Sequence, residues 1–276
     1  MNTNSVRRGL PLDRYEDIRK YWQSLRLGSI SDLDCALDNF RILFAYNSGK
    51  IENDEISYHD SREIFENGKV TGYTGSTRAL FEQQNQKLCY DYLKRRIVRN
   101  EPITVELIKQ VHAILTAGTY DEHRFIEKGE RPGEFKKHDY VTGISEVDYL
   151  PEKVEEGIIE LLGELDDLPK DMDILKAAAY FHAVFEHIHP FSDGNGRVGR
   201  TLMNYFLMTH NEPPFIVYDE DKRLYYAALE KYDTEESISD IYLFLKEQTC
   251  KTWEKAVERI NNEAEQTRKK LKDIDR

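Results

Sequence analysis

The chain has 276 residues, 39% of them hydrophobic and 33% charged, with a formal net charge of −12. That balance disfavours non-specific binding to nucleic acid or to an anionic membrane surface, and no apolar run approaches the ~18 residues of a membrane span. Three cysteines (Cys35, Cys89, Cys250) with no Cys-x-x-Cys pair point away from a disulfide framework or a zinc site, so a reducing, cytoplasmic setting is expected.

The opening segment lacks the apolar stretch of a secretory leader. A short amphipathic helix is predicted from Tyr15 to Leu27. Ser31 with Asp34 reads as a helix cap with an acidic third residue, followed by Leu33, Leu37, Phe40 and Leu43 at helical spacing, with Gly49 as the stop. A short acidic helix ending near Asn67-Gly68 follows, then a helix over 76–98 that closes in the basic cluster Lys94-Arg95-Arg96. Thr104 caps a helix with Ile108, Val111 and Leu115 inside. Residues 129–143 combine turn residues with a short alternating run and form the one hairpin candidate. Pro151 opens a helix, and 172–188 is the most apolar helix of the chain. After Pro213-Pro214, helices are predicted from Lys222 to about Tyr232 and from Ile238 onward. With no repeat and no low-complexity linker, the expected class is all-α.

Between the two central helices lies His189-Pro190-Phe191-Ser192-Asp193-Gly194-Asn195-Gly196-Arg197-Val198-Gly199-Arg200. Val198, Leu202, Tyr205 and Phe206 have helical spacing, so Gly194 to Gly196 fall at a helix start. Free N–H groups and the positive dipole end make such a start an anion site, and glycines let the anion approach the backbone. Arg197 and Arg200 then share a face and reach the same phosphates. Asp193 is a hard oxygen ligand suited to Mg2+ on those phosphates, and His189 stands where it can take a proton from an attacking hydroxyl. An unperturbed histidine, with a pKa of about 6.5, is already mostly neutral at pH 7; nearby arginines and metal are expected to lower it further. Each feature alone is ordinary, but their order is not.

That order resembles the Fic signature, His-x-Phe-x-Asp/Glu-Gly-Asn-Gly-Arg-x-x-Arg, without departure at a defining position. The resemblance covers roughly residues 40–245. It implies a Fic-type helical bundle with one short β-hairpin flap and flanking N- and C-terminal helices. We expect an N-terminal helical region over 1–100, a core over 101–245 and a C-terminal helical extension over 246–276. The implied activity is transfer of AMP from ATP to a Tyr, Thr or Ser hydroxyl of a protein, possession of ATP and Mg2+ sites being part of the implication. His189 would be the base, Phe191 would pack the loop, and Asp193 would hold Mg2+. Asn195 and the amides of the turn at Gly194 and Gly196 would bind the α-phosphate region, Gly199 would belong to the nucleotide site, and Arg197 and Arg200 would hold the outer phosphates.

Three further segments gain meaning from the resemblance. Ser48-Gly49-Lys50-Ile51-Glu52-Asn53 matches the inhibitory pattern [Ser/Thr]-x-x-x-Glu-[Gly/Asn] placed ahead of the core, as in the family's class II. Glu52 would pair with Arg200, and Ser48 would hydrogen-bond locally to hold the segment. Gly133 to Gly143 falls where the family has its flap, with Phe135, Tyr140 and Val141 at the aromatic and apolar positions that hold a target segment. Tyr225-Tyr226-Ala227-Ala228-Leu229 resembles the wall of the adenine pocket, where Tyr226 would stack on the base; Asp233 stands where some members have Asn. Partners would then be ATP and a protein substrate, which includes the chain itself, with no nucleic acid and no membrane; a homo-oligomer is left open. His182, Glu186, His187 and His189 do not have the spacing of a metal motif, and His182 with Glu186 reads as an i, i+4 pair. Alternatives are transfer of another phosphate-containing group, removal of AMP, or a non-enzymatic nucleotide-binding regulator. Members that phosphorylate resemble Asn-Lys-Arg where this chain has Asn195-Gly196-Arg197, which favours AMP.

Overall fold

The computed structural model describes residues 11–52, 55–140 and 149–274. Eleven α-helices occur among them: α1 (Pro11–Ser24), α2 (Ile30–Ala36), α3 (Asp38–Glu52), α4 (Tyr58–Asn67), α5 (Thr77–Val98), α6 (Val105–Leu115), α7 (Val154–Asp166), α8 (Ile174–Ile188), α9 (Asn195–Thr209), α10 (Lys222–Glu235) and α11 (Ser239–Ile274). The all-α class holds, and no helix among the described residues is long and apolar enough to cross a membrane.

Helices α8 and α9 form the centre, packed against one another with α7 and α6 alongside. Phe181, Phe185, Ile188, Val198, Leu202 and Tyr205 point into this seam and are fully buried. On one side α5 packs on α3, α6 and α9; on the other α10 and α11 pack on α8, and α1 lies along α11. Stacking of Phe40 on Trp253 joins α3 to α11.

Local rules explain most helix ends. Thr104 accepts from Leu107 N, Asp173 from Lys176 N, and Ser57 with Asp60 makes a reciprocal capping box. Gly68 ends α4 in the left-handed conformation.

Three expectations near α3 are corrected. The cap is Ser29, which accepts from Asp32 N, rather than Ser31, and the single expected helix is broken at Leu37 into α2 and α3. Gly49 is not a stop: α3 continues to Glu52. A Cβ on Gly49 would lie 2.4 Å from Gln83 Nε2, so this glycine allows α3 and α5 to approach, and the approach carries the helix onward to the site. The expected hairpin is also not seen: residues 129–140 contain turns and no strand, and 141–143 with Val141 lie outside the described residues.

Candidate active site

Helix α8 delivers His189 and then stops. His189 N donates to Phe185 O at 3.1 Å, and His189 adopts a left-handed conformation with φ 48° just before Pro190. Phe191 is fully buried and lies flat on the His112 ring, 3.7 Å between centroids. The loop then turns at Gly194, φ 82°, which opens α9 with no side-chain cap. A Cβ at Gly194 would meet Thr116 Cγ2 at 2.8 Å, so both the conformation and the space require glycine. The first N–H groups of α9 are therefore free of side-chain acceptors, as an anion-binding start requires.

Asn195 braces this loop. Its Nδ2 donates to Phe191 O at 2.7 Å and its Oδ1 accepts from Phe191 N at 2.8 Å. Both ends of the buried amide serve the loop, so the side chain expected to meet the α-phosphate is bonded to the backbone of Phe191 instead. Gly199 likewise serves packing: a Cβ there would sit 2.6 Å from Glu186 Oε1 and 2.9 Å from His182 Nδ1.

Arg197 and Arg200 are 2% and 1% exposed. Arg200 Nη2 donates to Glu52 Oε1 at 2.7 Å and to Ser48 O at 3.1 Å, while its Nε donates to Ser48 Oγ at 3.1 Å. Ser48 thus binds the arginine directly, where only a local hydrogen bond was expected. Burial disfavours the Glu52 carboxylate, yet the charge and hydrogen bond of Arg200 outweigh it and hold the group below its usual range. The end of α3 is fixed from outside as well, since Lys222 Nζ donates to Ile51 O and Asn47 Oδ1 accepts from Asp219 N at 3.2 Å.

A second ion network was not legible in the sequence. Arg78 on α5 donates from Nη2 to Asp193 Oδ2 at 2.6 Å and from Nε to Glu82 Oε1 at 2.9 Å. Arg197 closes the ring, with Nη1 3.1 Å from Glu82 Oε1 and Nη2 3.8 Å from Asp193 Oδ1. Each of Asp193, Arg197 and Arg200 therefore faces an opposite charge from α3 or α5.

No group of three or more His, Cys, Asp or Glu that could hold an ion occurs among the described residues. Asp193 alone fits an ion that takes its remaining oxygens from a triphosphate and water, and Arg78 supplies the positive charge at that carboxylate here. His182 belongs to the core: its Nε2 lies 2.6 Å from Tyr225 Oη, and Glu186 Oε1 stands farther off at 3.9 Å. The expected i, i+4 pair is present at that longer distance, and the tyrosine makes the shorter contact.

His189 is depressed to about 4, first by burial and then by the charge of Lys136. The expected direction holds, but the cation is Lys136. The flap residues turn inward: Phe135 packs on Phe191 at 5.5 Å, and Tyr140 Oη donates to Glu130 Oε1 at 2.9 Å. Glu130 is fully buried and also accepts from Lys137 N at 3.0 Å. His112, missed in the sequence, links three parts of the site. Its Nδ1 accepts from Gly133 N at 2.7 Å, its Nε2 lies 3.0 Å from Asp193 O, and burial lowers its pKa to about 4. Tyr226 is 44% exposed beside Tyr225, its ring 6.0 Å from Lys222 Nζ, and Asp233 accepts from His187 Nδ1 at 2.9 Å.

The Fic/DOC family model matches residues 102–207, which hold α6, α7, α8 and all but the last two residues of α9, with its arginines. The chain carries a Fic domain. It is 30% identical over 192 residues to the protein adenylyltransferase fic-1 of Caenorhabditis briggsae, covering 68% of this chain and 36% of that protein. It is 29% identical over 232 residues to the protein adenylyltransferase Fic of Aedes aegypti, covering 74% and 40%. The chain thus spans less than half the length of these curated relatives. In fold it is similar to a Fic domain containing signaling protein from Bacteroides thetaiotaomicron, with TM-score 0.75, 23% identity and coverage of 88% of this chain and 95% of that one. It is also similar to Fic-1 from C. elegans, with TM-score 0.71, 22% identity and coverage of 90% and 69%. Glu52, Arg78 and Glu82 all lie ahead of the matched Fic residues.

Proposed function

We propose that this chain transfers AMP from ATP to a Tyr, Thr or Ser hydroxyl of a protein, itself included, and that Glu52 restrains the reaction. The observation that carries the reading is the pair of buried arginines on the uncapped start of α9. Buried guanidinium groups are costly unless they meet anions; here Glu82 and Glu52 fill that role, and a triphosphate is the mobile anion that would take their place.

In the forward reaction His189 takes the proton of the target hydroxyl. The oxygen forms a bond to the α-phosphorus as the bond to the bridging oxygen of pyrophosphate breaks, and pyrophosphate leaves with the electron pair. The N–H groups of α9 meet the inner phosphates, and Arg197 and Arg200 hold the outer ones. Asp193 is the residue that would hold Mg2+, which supplies charge neutralisation to the leaving group when bound. Arg200 cannot serve Glu52 and a γ-phosphate with the same N–H groups, so the pair at 2.7 Å supports a restrained ground state.

The deciding experiment is incubation with ATP labelled on the α-phosphate, followed by intact-mass and peptide analysis. Gain of AMP on the chain or on an added protein supports the reading. Incorporation of label from the γ-phosphate alone, or only loss of AMP from a pre-modified target, would replace it.

A further inference from the structure

Two contacts beside His189 have no part in the reaction as written. Lys136 donates its backbone N–H to Pro190 O at 2.9 Å, and its Nζ donates to Ile188 O at 3.4 Å. These acceptors are the carbonyls on either side of His189, so one residue of the flap segment straddles the base. His189 needs such support, because a left-handed conformation is disfavoured for a residue with a Cβ.

Lys136 is only 3% exposed, and among the described residues its ammonium makes no ion pair. A simple cap on the negative end of α8 could be an exposed lysine at little cost. Burying the cation costs several kcal/mol in general, and its effect at this place is to oppose a second positive charge on the neighbouring imidazole. Other groups around His189 pull the opposite way: the backbone carbonyl of Glu186 on α8, Glu52 on α3 and Asp193 in the loop all favour the imidazolium. Burial weakens the ionisation of Lys136 itself, and the charge of Asp139 in the same segment opposes that weakening.

We propose that Lys136 is a positioning residue for His189: it clamps the left-handed turn on both sides and keeps the imidazole in its proton-accepting form. It acts through His189 and touches no reacting atom. The inference rests on the base role of His189 in the proposed transfer.

The test is an NMR titration of the histidine ring signals in the full chain, with His189 assigned through His189→Gln. Wild type, Lys136→Met and Lys136→Arg are compared. With the charge removed, His189 should take up its proton about one pH unit higher; the arginine variant should titrate like wild type. In parallel, the acid limb of AMP transfer should move upward with the Met variant in kcat, with KM for ATP unchanged, and return with Arg. A loosened turn would lower kcat at every pH without moving the limb. If Lys136→Met does not fold, Lys136→Gln decides, since it removes the charge and keeps a donor. A folded Met or Gln variant whose His189 titrates as in wild type overturns the proposal. Absence of AMP transfer in every form would count against the functional reading alone, because the NMR arm needs no activity.

Discussion

Gly196 makes the space that Glu52 fills. A Cβ at position 196 would lie 2.8 Å from Glu52 Oε1 and 2.8 Å from Arg200 Nη1. Gly196 and the carboxylate on Arg200 thus share one small volume, and under the proposed function a γ-phosphate seeking Arg200 would have to enter the same volume. Competition for a site, rather than a remote change of shape, is the mode of restraint this geometry implies.

The first prediction follows directly. Glu52→Gly should raise AMP transfer and self-modification by about tenfold or more, because a charge-assisted hydrogen bond contributes about 1.5–3 kcal/mol. The Glu52 side chain is 35% exposed, so solvent screening places the gain toward the lower end. Arg200→Ala also releases Glu52, yet it removes the phosphate partner, and its activity should stay low. Intact-mass measurement of self-labelling checks both; unchanged labelling in Glu52→Gly would show that the pair does not restrain the site.

The second concerns the base. His189→Ala should abolish transfer and leave ATP binding by calorimetry within about twofold, since the imidazole acts on the hydroxyl. With its pKa depressed to about 4, His189 is neutral throughout the ordinary pH range. The transfer rate of Glu52→Gly should therefore stay level from pH 8 down to about 5 instead of falling near 6.5. Loss of the Glu52 charge, which favours the imidazolium, moves the limb lower still. A limb at 6.5 would contradict this environment.

The third concerns Asp193. Asp193→Ala should lose metal-dependent transfer, and excess chelator should silence the wild type. Arg78 is bonded to Asp193 at 2.6 Å, so a divalent ion must displace that cation. Arg78→Ala should lower the Mn2+ concentration needed for half-maximal binding in the presence of a non-hydrolysable ATP analogue, by about three- to tenfold. Thermal stabilisation titrated with Mn2+ reads this without turnover; an unchanged midpoint would mean that Arg78 yields without cost.

The fourth is a stability prediction. Glu186 is raised from 4.5 to about 7, chiefly by burial and partly by Glu52, against the pull of Arg200. Below about pH 4 the carboxyl is protonated folded and unfolded alike, so it has no effect. As pH rises from 4.5 to 7 the unfolded chain loses this proton first, and stability falls; above 7 the loss is complete. Glu186→Gln should therefore be more stable than wild type by about 3 kcal/mol at pH 8 and nearly equal to it near pH 4. Urea midpoints at the two pH values check the sign.

What could be read from the residues alone was local. Thr104 and Gly68 mark helix ends because a cap acts within a few residues, and the 3.6-residue period of Phe181, Phe185 and Ile188 declares a buried face. The 189–200 segment was legible for the same reason: its glycines, arginines and histidine act on one another across a single turn. Family resemblance, not residue chemistry, linked Glu52 to Arg200 across 148 positions. Tertiary structure decided the rest, since side chains far apart in the chain meet only when helices pack. Arg78 reaches Asp193 across 115 positions, and His112 meets both Gly133 and Asp193. Gly49 reads as a stop by its type and is a helix interior by its neighbour, Gln83. Lys136 carries no signal of its own in the sequence, and it comes to lie beside His189 because the turns of residues 129–140 reach the end of α8. Propensity is a property of a residue and its nearest neighbours; charge, burial and proton affinity belong to the packed site.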